Sequence, residues 1–330
     1  ANQMVPILAV AFIPIGLFPE RIYVWASATG GSDVAHAVEA GYLDTVFFRQ
    51  RAAAYFIVWL VLSWLLSAVS RLDAEPAGTP AMRRIGAAAL VLLVPTATFA
   101  AFDWAMSLEP NWYSSIYGAL LTAGGVLAAH ALAICGLTTF GASPIAVSAA
   151  SDSNSGDATR VGELQSSEQQ SLETSEGNLA HGDRSADIFN DLGNLLLAFL
   201  MVNAYFAFSQ FLIIWSGNLP SEIPWYLRRL GGGWQWLAMS IVVLHFALPF
   251  LMLLSRDRKR EPRQLRVVAL LLVTMYLAHL YWMIAPAFAF HDVRGHAINV
   301  AGLIAIFAGF VAVYFWRADR IFRNGATVEI

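Results

Sequence analysis

The sequence predicts an all-α polytopic membrane protein with about eight transmembrane helices, arranged as two four-helix bundles with both termini in the cytoplasm. Its composition is the first reason: 58% of residues are hydrophobic, 13% are charged and the mean hydropathy is +0.57, whereas about a quarter of the residues of a soluble domain are charged. The second reason is the stretch 191–236, a mostly apolar run broken at SGNLPSEIP and resumed at Gly233. An apolar run without a polar stripe is typical of a membrane helix. The break in this run therefore predicts an external loop between two membrane helices.

Eight apolar runs give the predicted spans, with edges uncertain by a few residues. They lie near residues 4–18, 52–70, 85–106, 114–137, 192–215, 234–255, 266–290 and 297–316. The first run is short for a span of about 20 residues. The chain opens ANQMVPILAV, without Met or a basic flank, so we interpret this start as processed or incomplete.

Basic residues set the predicted orientation. The segment RDRKREPRQLR (256–266) holds six of the twenty basic residues, and cytoplasmic loops carry the excess of Lys and Arg. If this segment lies in the cytoplasm, successive loops between the predicted spans lie on alternate sides of the membrane. This places fourteen basic residues in the cytoplasm and six outside. The chain is therefore expected to be a multi-pass membrane protein with a structured outer face.

Residues 141–190 separate the two halves, which the sequence divides as 1–140 and 191–316, followed by a tail at 317–330. The part 151–190 carries eight acidic residues, two arginines and one aromatic residue. Such a composition buries little apolar surface. We therefore predict an acidic, flexible cytoplasmic linker, either without function or used for partner docking.

Several kinds of chemistry are excluded by residue content. The single cysteine, Cys135, excludes an internal disulfide, an iron–sulfur cluster and a cysteine-based zinc site. The sequence has no CxxCH, no nucleophile triad, no HExxH and no dinucleotide fingerprint, so we predict no catalytic residue, metal ligand or nucleic-acid site on this chain.

Polar residues at membrane depth are the functional candidates, because an ionisable side chain in lipid costs about 2.5–3.5 kcal/mol on insertion scales. Each of three predicted helices carries one histidine: His130, His245 and His279. The other candidates, from the outer end of span three to the inner mouth of span five, are Asp103, Glu109, Asp191, Asn203, Ser209, Gln210 and Tyr276.

Three interpretations of the histidines stay open. Each can be neutral and donate to a carbonyl across a helix interface. They can instead join Asp191, Tyr276 and water in a proton path, because His titrates near neutral pH. Axial ligation of a b-type haem is the third, and it is disfavoured because no helix carries two histidines at two haem levels.

The outer loop 216–236 holds boundary aromatics and two adjacent arginines. Arg228 and Arg229 can bind an anionic headgroup or a partner carboxylate, or they can simply be solvated. The glycines 231–233 are not followed by Lys-Ser/Thr, so they do not form a phosphate loop.

Four stretches together resemble one family. They are VPILAVAFIPIGLFPERIYVW (5–25), FDWAMSLEPNWYSSIYG (102–118), DLGNLLLAF with FSQFLIIWSGNLPSEIPWYLRR (191–229), and HFALPFLMLLSRDRKR with LYWMIAP (245–286). They are similar to the F-type membrane subunit of alternative complex III, a bacterial quinol:electron-acceptor oxidoreductase. That subunit is related to the polysulfide-reductase-like membrane proteins that interact with quinol.

The resemblance implies a subunit of a respiratory electron-transport complex and not a complete enzyme. Expected partners are a homologous quinol-binding membrane subunit, a multihaem cytochrome c, iron–sulfur subunits and lipids. Haem c, iron–sulfur clusters and menaquinol are expected in those partners, with no cofactor on this chain. Two departures stand out: the family's first two spans have no counterpart here, and Asn190 occupies the position before the aspartate where the family often has histidine.

The resulting mechanism has two parts. A proton path is expected to enter near Asp191 and to pass Asn203 and the histidine level toward the outer side. Its candidate residues are Asp191, Asn203, His130, His245, His279, Tyr276 and Asp103. Candidate residues for partner docking are Trp104, Glu109, Trp112, Trp225, Arg228, Arg229 and Trp234.

Two alternatives from other classes stay open. A secondary transporter with a midplane site would favour broken helices at matching positions of the two halves, and the prolines show no such symmetry. A b-type cytochrome would need a haem on this chain, which a visible spectrum of the isolated subunit detects.

Overall fold

The computed structural model describes residues 4–27, 41–72, 80–140, 166–288, 300–302, 304–309 and 311–316. Every regular element in this part of the chain is helical. The helices are α1 (Met4–Leu17), α2 (Thr45–Leu72), α3 (Pro80–Trp104), α4 (Ser115–Phe140), α5 (Ser166–Gly217), α6 (Ile223–Leu230), α7 (Trp234–Leu254), α8 (Arg256–Arg260), α9 (Pro262–Ile284) and α10 (Val300–Trp316).

Six helices in the described part of the chain are long and apolar enough to cross a membrane, so the helical, multi-pass membrane architecture is confirmed. Their apolar segments are Thr45–Val69, Arg83–Leu108, Ser115–Thr139, Ala186–Gly217, Trp234–Leu254 and Pro262–Ala287. The first and last predicted spans are the shorter apolar helices Val5–Leu17 and Val300–Trp316. The count of eight spans, the two four-helix bundles and the cytoplasmic termini therefore stay predictions.

The predicted flexible linker differs from the structure in its second half. Helix α5 begins at Ser166 and runs without a break into its apolar segment, so residues 166–190 are helical and not an irregular connector. Extending an existing helix costs far less free energy than nucleating a new one. This acidic stretch can therefore be helical although it buries little apolar surface. Residues 141–165 lie outside the described part of the chain.

One membrane helix departs from α-helical geometry. Helix α7 contains a seven-residue π-helical segment, Ile241–Ala247, which carries His245 near its end. A π-helical turn holds an extra residue within the helix, so it changes the direction of the side chains beyond it, and such turns are frequent at functional sites. No feature of the sequence predicts this segment.

The described residues fall into two compact units. Unit 1 takes its residues from Ala1–Gly125, Asn203–Trp236 and Leu280–Asp292, and its core is aromatic, with Tyr23, Trp25, Phe48, Trp112, Tyr117 and Trp225 buried. Unit 2 takes its residues from Val126–Val202, Leu237–His279 and Val293–Ile330, and its core is aliphatic, built around Leu127, Leu196, Leu200, Leu253, Leu265 and Leu272.

Candidate functional site

A buried carboxylate is the centre of the first polar cluster of unit 1. Asp103, near the end of α3, is fully buried and accepts a bidentate pair of hydrogen bonds from Arg51, with Nε and Nη2 at 2.8 and 2.9 Å. Tyr55, one turn further along α2, donates its hydroxyl to the same carboxylate at 2.8 Å. The Ser107 hydroxyl donates to the Asp103 carbonyl oxygen.

Arg51 is held from the other side as well. Its Nη1 donates to the Tyr42 carbonyl oxygen at 2.9 Å, and its guanidinium lies over the Tyr42 ring. Burial, together with the Asp103 carboxylate, raises the pKa of Tyr42 to about 12, so this phenol stays protonated at neutral pH. The bidentate pair and the Tyr55 hydroxyl compensate the charge of Asp103, as a buried ion pair requires.

The second cluster of unit 1 joins the loop after α3 to α6. Glu109 lies 3.0 Å from Arg228 and 3.1 Å from Arg229. Arg229 also donates to the carbonyl oxygens of Trp225 and Met283, at 3.0 and 2.7 Å. One carboxylate and two carbonyl groups therefore hold a guanidinium that is only 1% exposed.

Aromatic rings cover this second cluster. Trp112 and Trp225 stack with ring centroids 4.5 Å apart and an interplanar angle of 13°, and the Arg229 guanidinium lies 3.7 Å from the Trp225 centroid. Trp282 packs edge-on against Trp225 and donates its indole N–H to the Arg229 carbonyl oxygen. Burial lowers the pKa of Arg229, and Glu109 opposes this shift. We call Glu109, Arg228, Arg229, Trp112 and Trp225 the Glu109 clasp.

Unit 2 brings two of the three candidate histidines together. His245, in the π-helical segment of α7, and His279, in α9, make an edge-to-face contact with ring centroids 5.8 Å apart. His245 also hydrogen-bonds the backbone of Met275. Tyr276 lies one turn before His279 on the same helix, and the proton path through these residues stays a prediction.

The third histidine has a different environment. His130 Nε2 lies 3.1 Å from the Leu192 carbonyl oxygen, and its ring packs against Phe199. A histidine that bonds a carbonyl across a helix interface fits the first of the three interpretations. Asp191 also belongs to unit 2 and is exposed, whereas Asn203 and Asp103 are buried in unit 1.

The candidate docking residues divide by exposure. Trp112, Trp225, Glu109 and Arg229 are buried, so their side chains pack inside unit 1 and offer no contact area to a partner. Trp104 and Trp234 are half-buried, the latter against Tyr281, and Arg228 is exposed. The large exposed aromatic side chains of the same loops are Tyr113, Trp215 and Trp236, which the docking prediction did not single out.

Three residues that organise these sites were not among the predicted candidates. Two of them are Arg51 and Tyr55, although Arg51 lies one turn before Tyr55 on the same face of α2. That spacing was the available signal. The third residue is Lys259, whose Nζ donates to Asn194 Oδ1 at 2.6 Å, and no local pattern indicates this contact.

In the described residues, no group of three or more His, Cys, Asp or Glu side chains is arranged to hold a metal ion. The ion pairs and hydrogen bonds described above are the chemistry that these clusters show. No family model and no curated protein matches the chain.

Proposed function

We propose that the chain is an integral membrane subunit of a quinol:electron-acceptor oxidoreductase of the alternative complex III type. In this proposal it anchors extrinsic redox subunits and carries no redox cofactor of its own. Electrons pass from menaquinol to the iron–sulfur clusters and haem c of its partners. The chain itself is located in the bacterial inner membrane.

The observation that carries the proposal is the Glu109 clasp. It is built from two of the stretches that carry the family resemblance, 102–118 and 208–229. Both stretches lie at the ends of membrane helices, where a subunit outside the membrane would bind. Buried ion pairs and stacked indoles make this end of unit 1 rigid, and a rigid surface loses little entropy on binding a partner.

Exposed aromatic residues supply the contact area beside the clasp. Tyr113 is 71% exposed and Trp236 73% exposed, and aromatic residues are enriched among the energetically dominant residues of protein interfaces. Tyr113 follows the buried Trp112 directly. The clasp therefore fixes the backbone from which Tyr113 projects.

The test is copurification from membranes solubilised in mild detergent. A tagged chain is expected to bring down a haem-bearing partner, detected by its Soret band and by mass spectrometry. Truncating a dominant interface residue costs about 2 kcal/mol or more, so Tyr113→Ala with Trp236→Ala should release that partner. Trp64→Ala is the control, because Trp64 is also exposed (60%) but is the twentieth residue of the apolar segment of α2, whereas Trp236 is the third residue of the segment that begins at Trp234. Purification of the wild-type chain without any haem protein contradicts the proposal and favours a transporter.

We also propose, as a second function within the same complex, a proton route through unit 2. Its support is the contact of His245 with His279 at the π-helical turn, since two imidazoles in contact can pass a proton between them. Asp191 is exposed and can take up protons from water. The Asp191→Asn variant of the reconstituted complex is expected to lower the proton-to-electron ratio, whereas an unchanged ratio removes Asp191 from the route.

A further inference from the structure

The most basic segment of the chain lies at the junction of two membrane helices. Helix α7 ends at Leu254, α8 covers Arg256–Arg260, and α9 begins at Pro262. Six basic and two acidic residues fall within 256–266. Because both flanking segments are apolar and of membrane length, these charges lie at the depth of the lipid headgroups.

Two of these basic residues, Lys259 and Arg260, form contacts within unit 2. Lys259 is buried and donates to Asn194 of α5, and its stem passes over Gly193, where an added Cβ would come within 2.7 Å of Lys259 Cγ. Arg260 pairs with Asp187 at 2.5 Å. Leu253 and Leu265, on either side of α8, are buried in the aliphatic core. The turn is therefore fixed at both ends and at its centre.

The remaining arginines point outward. Arg256, Arg258 and Arg263 are exposed and Arg266 is half-buried, and none of the four forms an ion pair within the part of the chain that the structure describes. The acidic neighbours Asp257 and Glu261 are exposed too. Several guanidinium groups are thus displayed from a rigid turn at headgroup depth.

We propose that the exposed arginines of this segment, Arg256, Arg258 and Arg263, bind the headgroup phosphates of anionic phospholipids. A guanidinium matches a phosphate with two parallel hydrogen bonds, and basic residues next to a membrane helix attract anionic lipids by about 1 kcal/mol each. The inference does not depend on the proposed function, because it uses only the membrane helices and the charges between them.

The acidic part of this chain is a poorer occupant. At about 1.5 Å per residue, the part of α5 that precedes its apolar segment extends for roughly 30 Å, so most of its acidic residues are carried away from Asp187. Asp187 itself already pairs with Arg260. Among the described residues, the acidic side of α5 therefore leaves these exposed arginines to a ligand from the membrane.

The experiment measures lipid retention by native mass spectrometry on protein purified from vesicles that contain equal amounts of phosphatidylglycerol and phosphatidylcholine. Wild-type protein should retain phosphatidylglycerol selectively and lose it as salt rises. Arg256→Gln with Arg258→Gln should weaken retention by roughly fivefold per arginine, or about 25-fold. Arg83→Gln with Arg84→Gln removes the same charge from an exposed pair at the start of α3, where two basic residues and not six adjoin the membrane helix, and should change retention less than the same change in the segment 256–266.

A charge-conserving variant separates binding from folding. Arg256→Lys with Arg258→Lys should keep most of the lipid, because ammonium groups still attract phosphate as point charges. Three results would overturn the proposal: equal retention in the Gln variant and wild type, displacement of the lipid by inorganic phosphate at the same concentration, or loss of a copurifying acidic protein with lipid retention intact. The second result assigns a small-anion site, and the third a protein interface.

Discussion

Arg228 and Arg229 are adjacent and pair with the same carboxylate, yet their side chains are 53% and 1% exposed. Removing one partner of a buried ion pair leaves an uncompensated charge and costs about 3–5 kcal/mol, whereas an exposed pair contributes about 0–1 kcal/mol. Arg229→Met is therefore expected to lower the free energy of unfolding by about 3–5 kcal/mol, and Arg228→Met by less than about 1 kcal/mol. Denaturant unfolding in mixed micelles measures both.

A second change separates the stranded charge from lost packing. In the Arg229→Met background, Glu109→Gln removes the buried carboxylate charge and should recover part of the lost stability. Equal effects of the two arginine substitutions, or a further loss with Glu109→Gln, would show that Glu109 is not the source of the difference.

Tyr55 provides a smaller test at the Asp103 cluster. A hydrogen bond to a charged group contributes about 1.5–3 kcal/mol, and the Tyr55 hydroxyl donates one to a carboxylate with no solvent exposure. Tyr55→Phe should therefore destabilise the protein by roughly that amount. Tyr113→Phe, at an exposed phenol, is the control and should be near neutral. A near-neutral Tyr55→Phe would mean that Arg51 alone compensates Asp103.

Single residues show where sequence analysis succeeds at this scale. Asp103 and Glu109 were identified as candidates because a carboxylate beside an apolar run is conspicuous. Their partners were not identified, since Arg51 lies 52 positions from Asp103 and no local spacing encodes a contact over that separation. His245 contacts His279 from within a π-helical segment, which the helical period of the sequence does not reveal.

At the scale of elements, α3 and α4 approach each other at Gly118. A Cβ at this position would lie 2.5 Å from Thr98 Cγ2 and 2.8 Å from the Thr98 carbonyl oxygen, and small residues allow such close contact between membrane helices. Gly118→Ala should destabilise the protein by about 1–3 kcal/mol through overpacking, measured as above. Gly86→Ala, where an added Cβ meets nothing within 4 Å, should be neutral or stabilising by up to about 1 kcal/mol. Similar effects of the two would contradict the close approach.

Helix α5 gives a second test of an element. If residues 166–185 continue the membrane helix, spin labels at positions 167 and 185 lie about 27 Å apart with a narrow distribution. A flexible chain of that length would give a broad distribution near 23 Å. Cys135 is buried, so labels attach to the introduced cysteines. Adding Ser175→Pro, which breaks a helix interior, should broaden the distribution, and a wild-type distribution as broad as the proline variant would restore the flexible linker.

The elements themselves were largely predictable because apolar length determines a membrane helix. Six of the predicted spans overlap the six membrane-length helices of the described residues, with ends that differ by at most seven residues. The start of α5 was not predicted, because composition indicates only how much apolar surface a segment can bury. A helix that extends an existing membrane helix needs little burial, since propagation costs far less free energy than nucleation.

At the scale of the whole molecule, the short helix Val300–Trp316 decides the topology. Its seventeen residues extend for about 25 Å, less than the roughly 30 Å of a hydrocarbon core. Long basic side chains that reach the interface can compensate such a mismatch, and Arg317, Arg320 and Arg323 follow this helix directly. The excess of basic residues favours the cytoplasm for them, so we expect α10 to span.

A reporter active only in the cytoplasm tests this topology. Fused after residue 330 it should be active, and fused after residue 260, within the basic segment 256–266, it should be active as well. Fused after Gly217 it should be silent, because that loop lies on the opposite side in the same alternation. Replacing the three tail arginines by Gln removes both the snorkelling and the charge bias, so the reporter after residue 330 should then lose activity. A silent reporter on the wild-type tail, with the other two fusions as expected, would place that tail outside and leave α10 short of the inner interface.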